Sequence, residues 1–374
     1  MDATTQEQQE SAMSETLRQW LEVAEAGDSE AMVKIAEAYE KGLEAEQNYT
    51  LAVRWYIRAA YCHNRDAMYR LATMYEGGIG VLKDYDKAVN WYLDAAKFRH
   101  NQAMCKLGRF FLEGRWLARD YARAMEWFTK AAEDNADAMD GVGFMYAHGL
   151  GVKRDGAAAY GWYVRAIERG SVSAVNNLAL LYLAGEGVEQ DYRLALAKFL
   201  EAAQAGSSDA MSNLGALYKE GRGVAKDLPK ALSWFFKAAA RGHSGAMRNI
   251  AAMYYAGEGL EQDPAKALKW YLKAAAGGDV DAMYAAGRMY AAGEGTARDL
   301  RRALMWYENA ADSGDGRAMA SLGELYERGQ GVKKDREAAL RWYKLAAAAG
   351  VPEAAARAEK LEKRSRSLLR FFRL

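Results

Sequence analysis

A short motif, Ala-Met or a close variant, begins at Ala31, Ala67, Ala103, Ala138, Ala174, Ala210, Ala246, Ala282, Ala318 and Ala354, and this spacing constrains the fold more than any single residue. Every step is 36 residues except the 35 between Ala103 and Ala138. A period of this size marks a solenoid, in which each unit buries its apolar face only against its neighbours. The chain therefore reads as nine units in one elongated domain, with its function on a surface rather than in an enclosed pocket.

The unit beginning at Ala210 shows why the repeat folds. Ala210, Met211, Leu214, Gly215, Leu217 and Tyr218 follow a helical period and predict a first amphipathic helix, stopped at Gly221. A glycine stands at that place in all nine units, as a left-handed C-terminal cap requires. A second loop glycine recurs in seven units and is replaced by Glu44 and Trp116 in the others. Asp227 precedes the next apolar period, where its carboxylate suits the open amides of a helix start; eight of nine units carry Asp there, and Asn48 is the exception. The second helix carries Ala231, Trp234, Phe235, Ala238 and Ala239. Its tryptophan recurs at Trp55, Trp91, Trp127, Trp162, Trp270, Trp306 and Trp342, with Lys198 breaking the series, and is expected to form the core between units. In the first unit the helices are expected at 31–41 and 49–60.

The recurring pattern AM..LG.LY..G.GV..D..KA..WY.KAA..G resembles the Sel-one-like repeat family, an α/α branch of the tetratricopeptide superfamily, over residues 31–353. The resemblance implies an all-α, right-handed superhelical solenoid of helical hairpins that acts as a protein-interaction scaffold or adaptor, often in signalling, envelope or secretion assemblies. The disulfide-per-repeat branch of the family has no counterpart here, since Cys62 and Cys105 occupy different slots and read as reduced thiols. Residues 1–13 are expected to be a disordered acidic N-terminus and 14–27 a capping helix. Nine repeats follow over 28–353, and 354–374 form a second capping helix with a basic amphipathic tail, SRSLLRFFRL, suited to a membrane surface or acidic partner.

Composition narrows the function. The net charge of +1 favours neither nucleic acid nor an acidic substrate, although residues 1–30 carry eight acids against Arg18 alone and residues 355–374 carry seven cations against two acids. No basic, apolar leader opens the chain and no apolar run is long enough to span a bilayer, so a cytoplasmic location is expected. The Gly-x-Gly pieces lack the third glycine of a dinucleotide fingerprint and the Lys-Ser/Thr of a P-loop. His63, His100 and His243 read as solvated turn residues and His148 ends a helix, so no metal cluster forms, and no catalytic triad is legible. We expect no enzyme, no metal and no cofactor.

Partner recognition is then sought in the slots that vary. Slots three, seven and ten of the first helix share one stripe, which the family's geometry places on the concave wall. They supply Tyr69, Arg109, Phe144, Asn176, Leu180, Leu183, Arg248, Tyr255, Tyr284 and Arg288, residue types suited to a binding hot spot. Slot four adds Asn213 to a ladder with Asn177 and Asn249, amides able to clamp a peptide backbone. The ends of the stripe are acidic through Glu37, Glu40, Glu76, Glu324 and Glu327. Trp116 either folds inward over Phe110 and Phe111 or presents an aromatic for binding. A protein or peptide partner is expected; RNA binding by a helical repeat and a repeat module of an envelope or secretion assembly are the alternatives.

Overall fold

The computed structural model describes residues 14–371, with side chains through residue 363. Among these residues are twenty α-helices and no strand, an all-α solenoid of repeated hairpins. A helix at Glu15–Glu25 comes first. The first hairpin pairs Ser29–Lys41 with Tyr49–Tyr61, the last pairs Gly316–Arg328 with Arg336–Ala348, and a final helix runs Pro352–Phe371. The expected acidic stretch 1–13 and the tail residues 372–374 lie outside the described residues.

Two compact units divide the chain, residues 1–191 and 192–374, and the division falls between the two helices of repeat 5. Repeats that touch only their neighbours need no core common to the whole array. The first unit has one continuous apolar core from Leu17 to Leu181. In the second, clusters form around Tyr307 and Tyr343.

Each helix starts and stops on a side chain suited to the task. The helix Ser208–Glu220 ends at Gly221, whose φ of 74° lets its N–H reach the Leu217 carbonyl in a conformation costly for a residue with a Cβ. Asp227 Oδ1 accepts from the Lys230 N–H at 2.9 Å to open the following helix. First helices are capped as well, by residues whose chemistry changes from repeat to repeat: Asp28, Asn64, His100, Asn135, Ser171, Ser207, His243, Asp279 and Asp315. His100 and His243 are thus structural caps rather than solvated turn residues. Their Nδ1 atoms accept from the Ala103 and Ala246 N–H groups at 3.1 and 2.9 Å, while Nε2 faces Asp66 and Asp209 of the preceding repeat at 3.3 and 3.2 Å. With Nδ1 accepting at the cap, Nε2 is the ring nitrogen turned to each carboxylate.

The tryptophan slot is not the centre of the core. Every tryptophan of the series is half-buried, and the fully buried ring is the next residue, as in Tyr56, Tyr92, Tyr163, Phe235 and Tyr343; Phe199 takes that place after Lys198, and Tyr271 is the half-buried exception. The reason lies across the hairpin. A Cβ on Gly143 would stand 2.7 Å from Cδ1 and Cε1 of Tyr163, so this slot of the first helix is kept small to admit that ring. Tryptophan sits about 100° further round the second helix, at the rim. Cations cover it there, with Arg165 4.3 Å from the Trp162 ring centroid and Lys237 4.0 Å from that of Trp234.

Trp116 takes the inward of its two alternatives. It holds φ at 62°, where seven other repeats have glycine, and stacks on Tyr85 with centroids 4.1 Å apart while meeting Phe110 edge-on at 4.8 Å. This aromatic packing offsets the strain of a left-handed tryptophan.

Candidate functional site

The first-helix stripe separates into slots that join repeats and slots that face outward. Slot three is buried or half-buried throughout. Cys105 is buried there, which pushes its thiol up to about 11. Asn176, expected on the binding face, is only 6% exposed, and its amide donates to Asn177 Oδ1 at 3.3 Å. The asparagine ladder is likewise engaged within the fold where its bonds are defined. Asn177 Nδ2 donates to Asp140 Oδ1 at 2.8 Å and the Ser173 hydroxyl donates to Oδ2 at 2.8 Å, tying repeat 4 to repeat 5. Burial raises the Asp140 carboxyl against the pull of these two donors. Asn213 is half-buried.

Slot seven carries the outward residues. Arg109, Leu180 and Arg288 are exposed, Leu180 at 39%, and Phe144 is half-buried with its ring 4.1 Å from that of His148. Leu183, in slot ten, is half-buried.

The acids expected to mark the ends of the stripe have another task. Tyr56 donates its hydroxyl proton to Glu40 Oε2 at 2.6 Å, Tyr92 to Glu76 at 2.6 Å and Tyr343 to Glu327 at 2.9 Å. Burial together with these carboxylates pushes the phenols up, Tyr343 to about 12. The sequence carries only a partial signal for this, since Tyr163, Tyr271 and Tyr307 follow Ala147, Tyr255 and Ala291 rather than glutamate. Where slot ten holds Leu112, Leu183 or Lys219 instead of glutamate, the ring sixteen residues later is Phe128, Phe199 or Phe235 and has no hydroxyl to satisfy.

Two cavities open on this stripe. In the first unit a cavity of about 130 Å³ is lined by Tyr69, Cys105, Lys106 and Arg109, with Tyr69 stacked 4.5 Å from His100. In the second unit a cavity of about 390 Å³ brings together four residues singled out in the sequence, Arg248, Tyr255, Tyr284 and Arg288, with Tyr271, Asp281 and Arg317. The first helices of repeats 7, 8 and 9, Ser244–Ala256, Val280–Ala292 and Gly316–Arg328, supply all but Tyr271 of these.

Ion pairs fix the walls of the larger cavity. Arg248 Nε donates to Asp279 Oδ2 at 3.0 Å, and Arg317 bridges Asp281, at 2.6 Å, and Asp315. Asp279 and Asp315 also cap their helices, accepting from Ala282 and Ala318. Burial opposes ionisation of Asp315, but Arg317 and the Ala318 amide outweigh it and hold the carboxyl below its usual range. The Arg317 guanidinium lies 4.7 Å from the Tyr284 ring centroid. Tyr255 donates to Glu294 Oε2 at 2.8 Å, a bond that raises its phenol, while the nearby Arg288 charge pulls it the other way. Among the described residues no group of histidine, cysteine and carboxylate has the geometry of a metal site, and no helix is long and apolar enough to cross a membrane.

Similarity to known proteins agrees with this architecture. The Sel1 repeat family model matches residues 29–64, 65–97, 101–135, 136–171, 172–207, 208–243, 244–279, 280–315 and 316–351. A solved Sel1 repeat protein from Oxalobacter formigenes is 35% identical, the match covering 66% of this chain and 99% of that one with a TM-score of 0.56. A protective antigen present in uropathogenic Escherichia coli strains, displaying an SLR fold, is 30% identical over 92% of this chain and 82% of its own, with a TM-score of 0.54. No curated protein sequence matches the chain. With nine matched windows and hairpins capped and packed in one recurring manner, the chain belongs to the Sel1 repeat family.

Proposed function

We propose that this protein is a non-enzymatic scaffold that binds a partner protein or peptide on its first-helix face. The observation that carries this reading is the 390 Å³ cavity of repeats 7 to 9, where tyrosine and arginine side chains from consecutive units converge. Tyrosine and arginine dominate binding hot spots, and walls already fixed by ion pairs lose little entropy when a partner docks. Sel1-repeat proteins in general serve as protein-interaction scaffolds, which supports the same reading. The free thiols Cys62 and Cys105 suit a reducing compartment such as the cytoplasm. RNA binding is the weaker reading, because two of the three arginines of the cavity are already neutralised by carboxylates.

Affinity capture with the intact chain tests the proposal. The double variant Tyr255→Ala with Tyr284→Ala should lose the main captured protein while its circular dichroism stays unchanged. In the other unit, Leu180→Arg reports whether the outward slot-seven face contributes. Removing residues 365–374 should weaken capture only in part. Full capture by the double variant, with loss on the deletion alone, would move the interaction to the tail.

A further inference from the structure

We infer that the cavity of repeats 7 to 9 takes an acidic side chain of the partner, an aspartate or glutamate flanked by aromatic or aliphatic residues, with Arg288 as its counter-charge. This deepens the binding-face reading above and rests on it. Three guanidinium groups line the cavity, and two are already matched: Arg248 by Asp279 and, at 3.9 Å, by Asp281, and Arg317 by Asp281 and Asp315. Asp279 and Asp315 also face the amides of the helices they cap, so part of their charge is offset by the helix N-termini. Arg288 is exposed and forms no ion pair among the described residues; it lines the cavity beside Tyr255, whose hydroxyl donates to Glu294. A guanidinium has five donors, so the head group keeps capacity for a carboxylate.

The surroundings of Arg288 define the rest of the ligand. Tyr255, Tyr271 and Tyr284 line the cavity with Ala252 and Met289, which suits an apolar neighbour of the acid. A nucleic acid fits poorly. Its evenly spaced phosphates need a row of free cations, whereas the slot-seven neighbours of Arg288 are Ala252 and Glu324, and Glu324 is itself held by Arg357 and, at 3.9 Å, by Arg328. One isolated cation between an alanine and an acid matches a single carboxylate.

Selection of a phage-displayed library of random dodecapeptides on the full-length protein tests this. Peptides enriched on the wild type should carry one Asp or Glu beside an aromatic or aliphatic residue. Their synthetic versions should bind Arg288→Glu roughly 10- to 100-fold more weakly, the range for losing a charge-assisted hydrogen bond. Arg288→Lys should retain part of the affinity, and selection on Arg288→Glu should enrich Lys or Arg at the same position. Unchanged circular dichroism and melting of these surface variants would exclude misfolding as the cause. Enriched peptides without an acid, or peptides that bind Arg288→Glu normally yet fail on Tyr255→Ala, would overturn the acidic subsite and leave the binding face standing. Failure to enrich any peptide, or binding indifferent to every cavity variant, would overturn both. Tight binding of a random single-stranded RNA that is lost in Arg288→Glu would replace the acidic peptide with a nucleic acid.

Discussion

Two glycines of repeat 4 offer a test of what spaces the hairpin. Gly143 lies in the helix Ala136–His148 and Gly161 in its partner Gly156–Glu168. Replacing a mid-helix glycine with alanine gains about 0.5–1 kcal/mol, and this gain is common to both sites. What differs is the space. A Cβ at Gly161 meets nothing within 4 Å, whereas at Gly143 it would lie 2.7 Å from the Tyr163 ring and 3.3 Å from Trp162 Cβ. Carbon atoms prefer about 3.5–4.0 Å, so the ring must retreat by about 1 Å. Tyr163 is 1% exposed and has little room to do so. Overpacking of this kind costs about 1–3 kcal/mol. The slot is not closed to a methyl group in every repeat, because Ala36, Ala72, Ala179 and Ala251 occupy it elsewhere; the contact distances at Gly143 apply to repeat 4. We therefore expect Gly161→Ala to raise the melting temperature and Gly143→Ala to lower it, the two variants differing by about 1–3 kcal/mol because the propensity gain cancels. Urea unfolding followed by circular dichroism measures the difference, and hydrogen exchange in repeat 4 localises it. If Gly143→Ala stabilises as much as Gly161→Ala, the buried tyrosine does not set the spacing and the packing argument fails.

Two further outcomes follow from the caps and rings. Burial, more than the opposing Asp66, holds His100 below its ordinary value, so the folded state binds fewer protons than the unfolded chain; its stabilisation is complete above about pH 6.5 and is lost as pH falls through the folded value. His100→Asn keeps a capping acceptor without a titrating group and should flatten the decline of melting temperature between about pH 6.5 and 5; an unchanged slope would remove His100 from the account. For the rings, Phe235→Ala should cost about 3–5 kcal/mol by opening a cavity in the second unit, and Trp234→Ala clearly less because that ring is only half-buried. Equal losses in thermal unfolding would restore tryptophan to the centre of the core.

Most of the fold could be read from the chain because each helix end repeats its chemistry. Gly221 and Asp227 recur in register, and between them they delimit both helices of a hairpin. The choice between Trp234 and Phe235 was not legible, since both neighbours are aromatic and a helical period does not say which faces the opposite helix. Gly215 in the first helix decides it, where a Cβ would come within 2.5 Å of the Phe235 ring, and that contact is visible only once the hairpin is closed. First-helix caps escaped notice for the opposite reason: Asp28, His100 and Ser171 share a role but no chemistry. At the candidate site, slot position alone brought Arg248, Tyr255, Tyr284 and Arg288 to one cavity. It could not show that Arg248 is spent on Asp279, because that bond joins residues 31 apart in sequence.

This division between spent and available side chains gives the variable slots two different meanings. Slot three supplies groups that bind the next repeat, as Arg248 does through Asp279 and Asp140 through Asn177 and Ser173. Such bonds fix the angle between neighbouring hairpins, and in an array with only nearest-neighbour contacts that angle sets the shape of the local groove. Slot seven is mixed: Leu180 and Arg288 are exposed and Arg288 forms no ion pair among the described residues, whereas Glu324 is held by Arg357. Substitutions in slot three therefore act on partner binding through stiffness and stability together. On the proposed binding face, those at the exposed slot-seven positions Leu180 and Arg288 are expected to act mainly on affinity. A repeat family can then change partners by altering slot seven while the Gly, Asp and buried-ring slots that close each hairpin stay as they are.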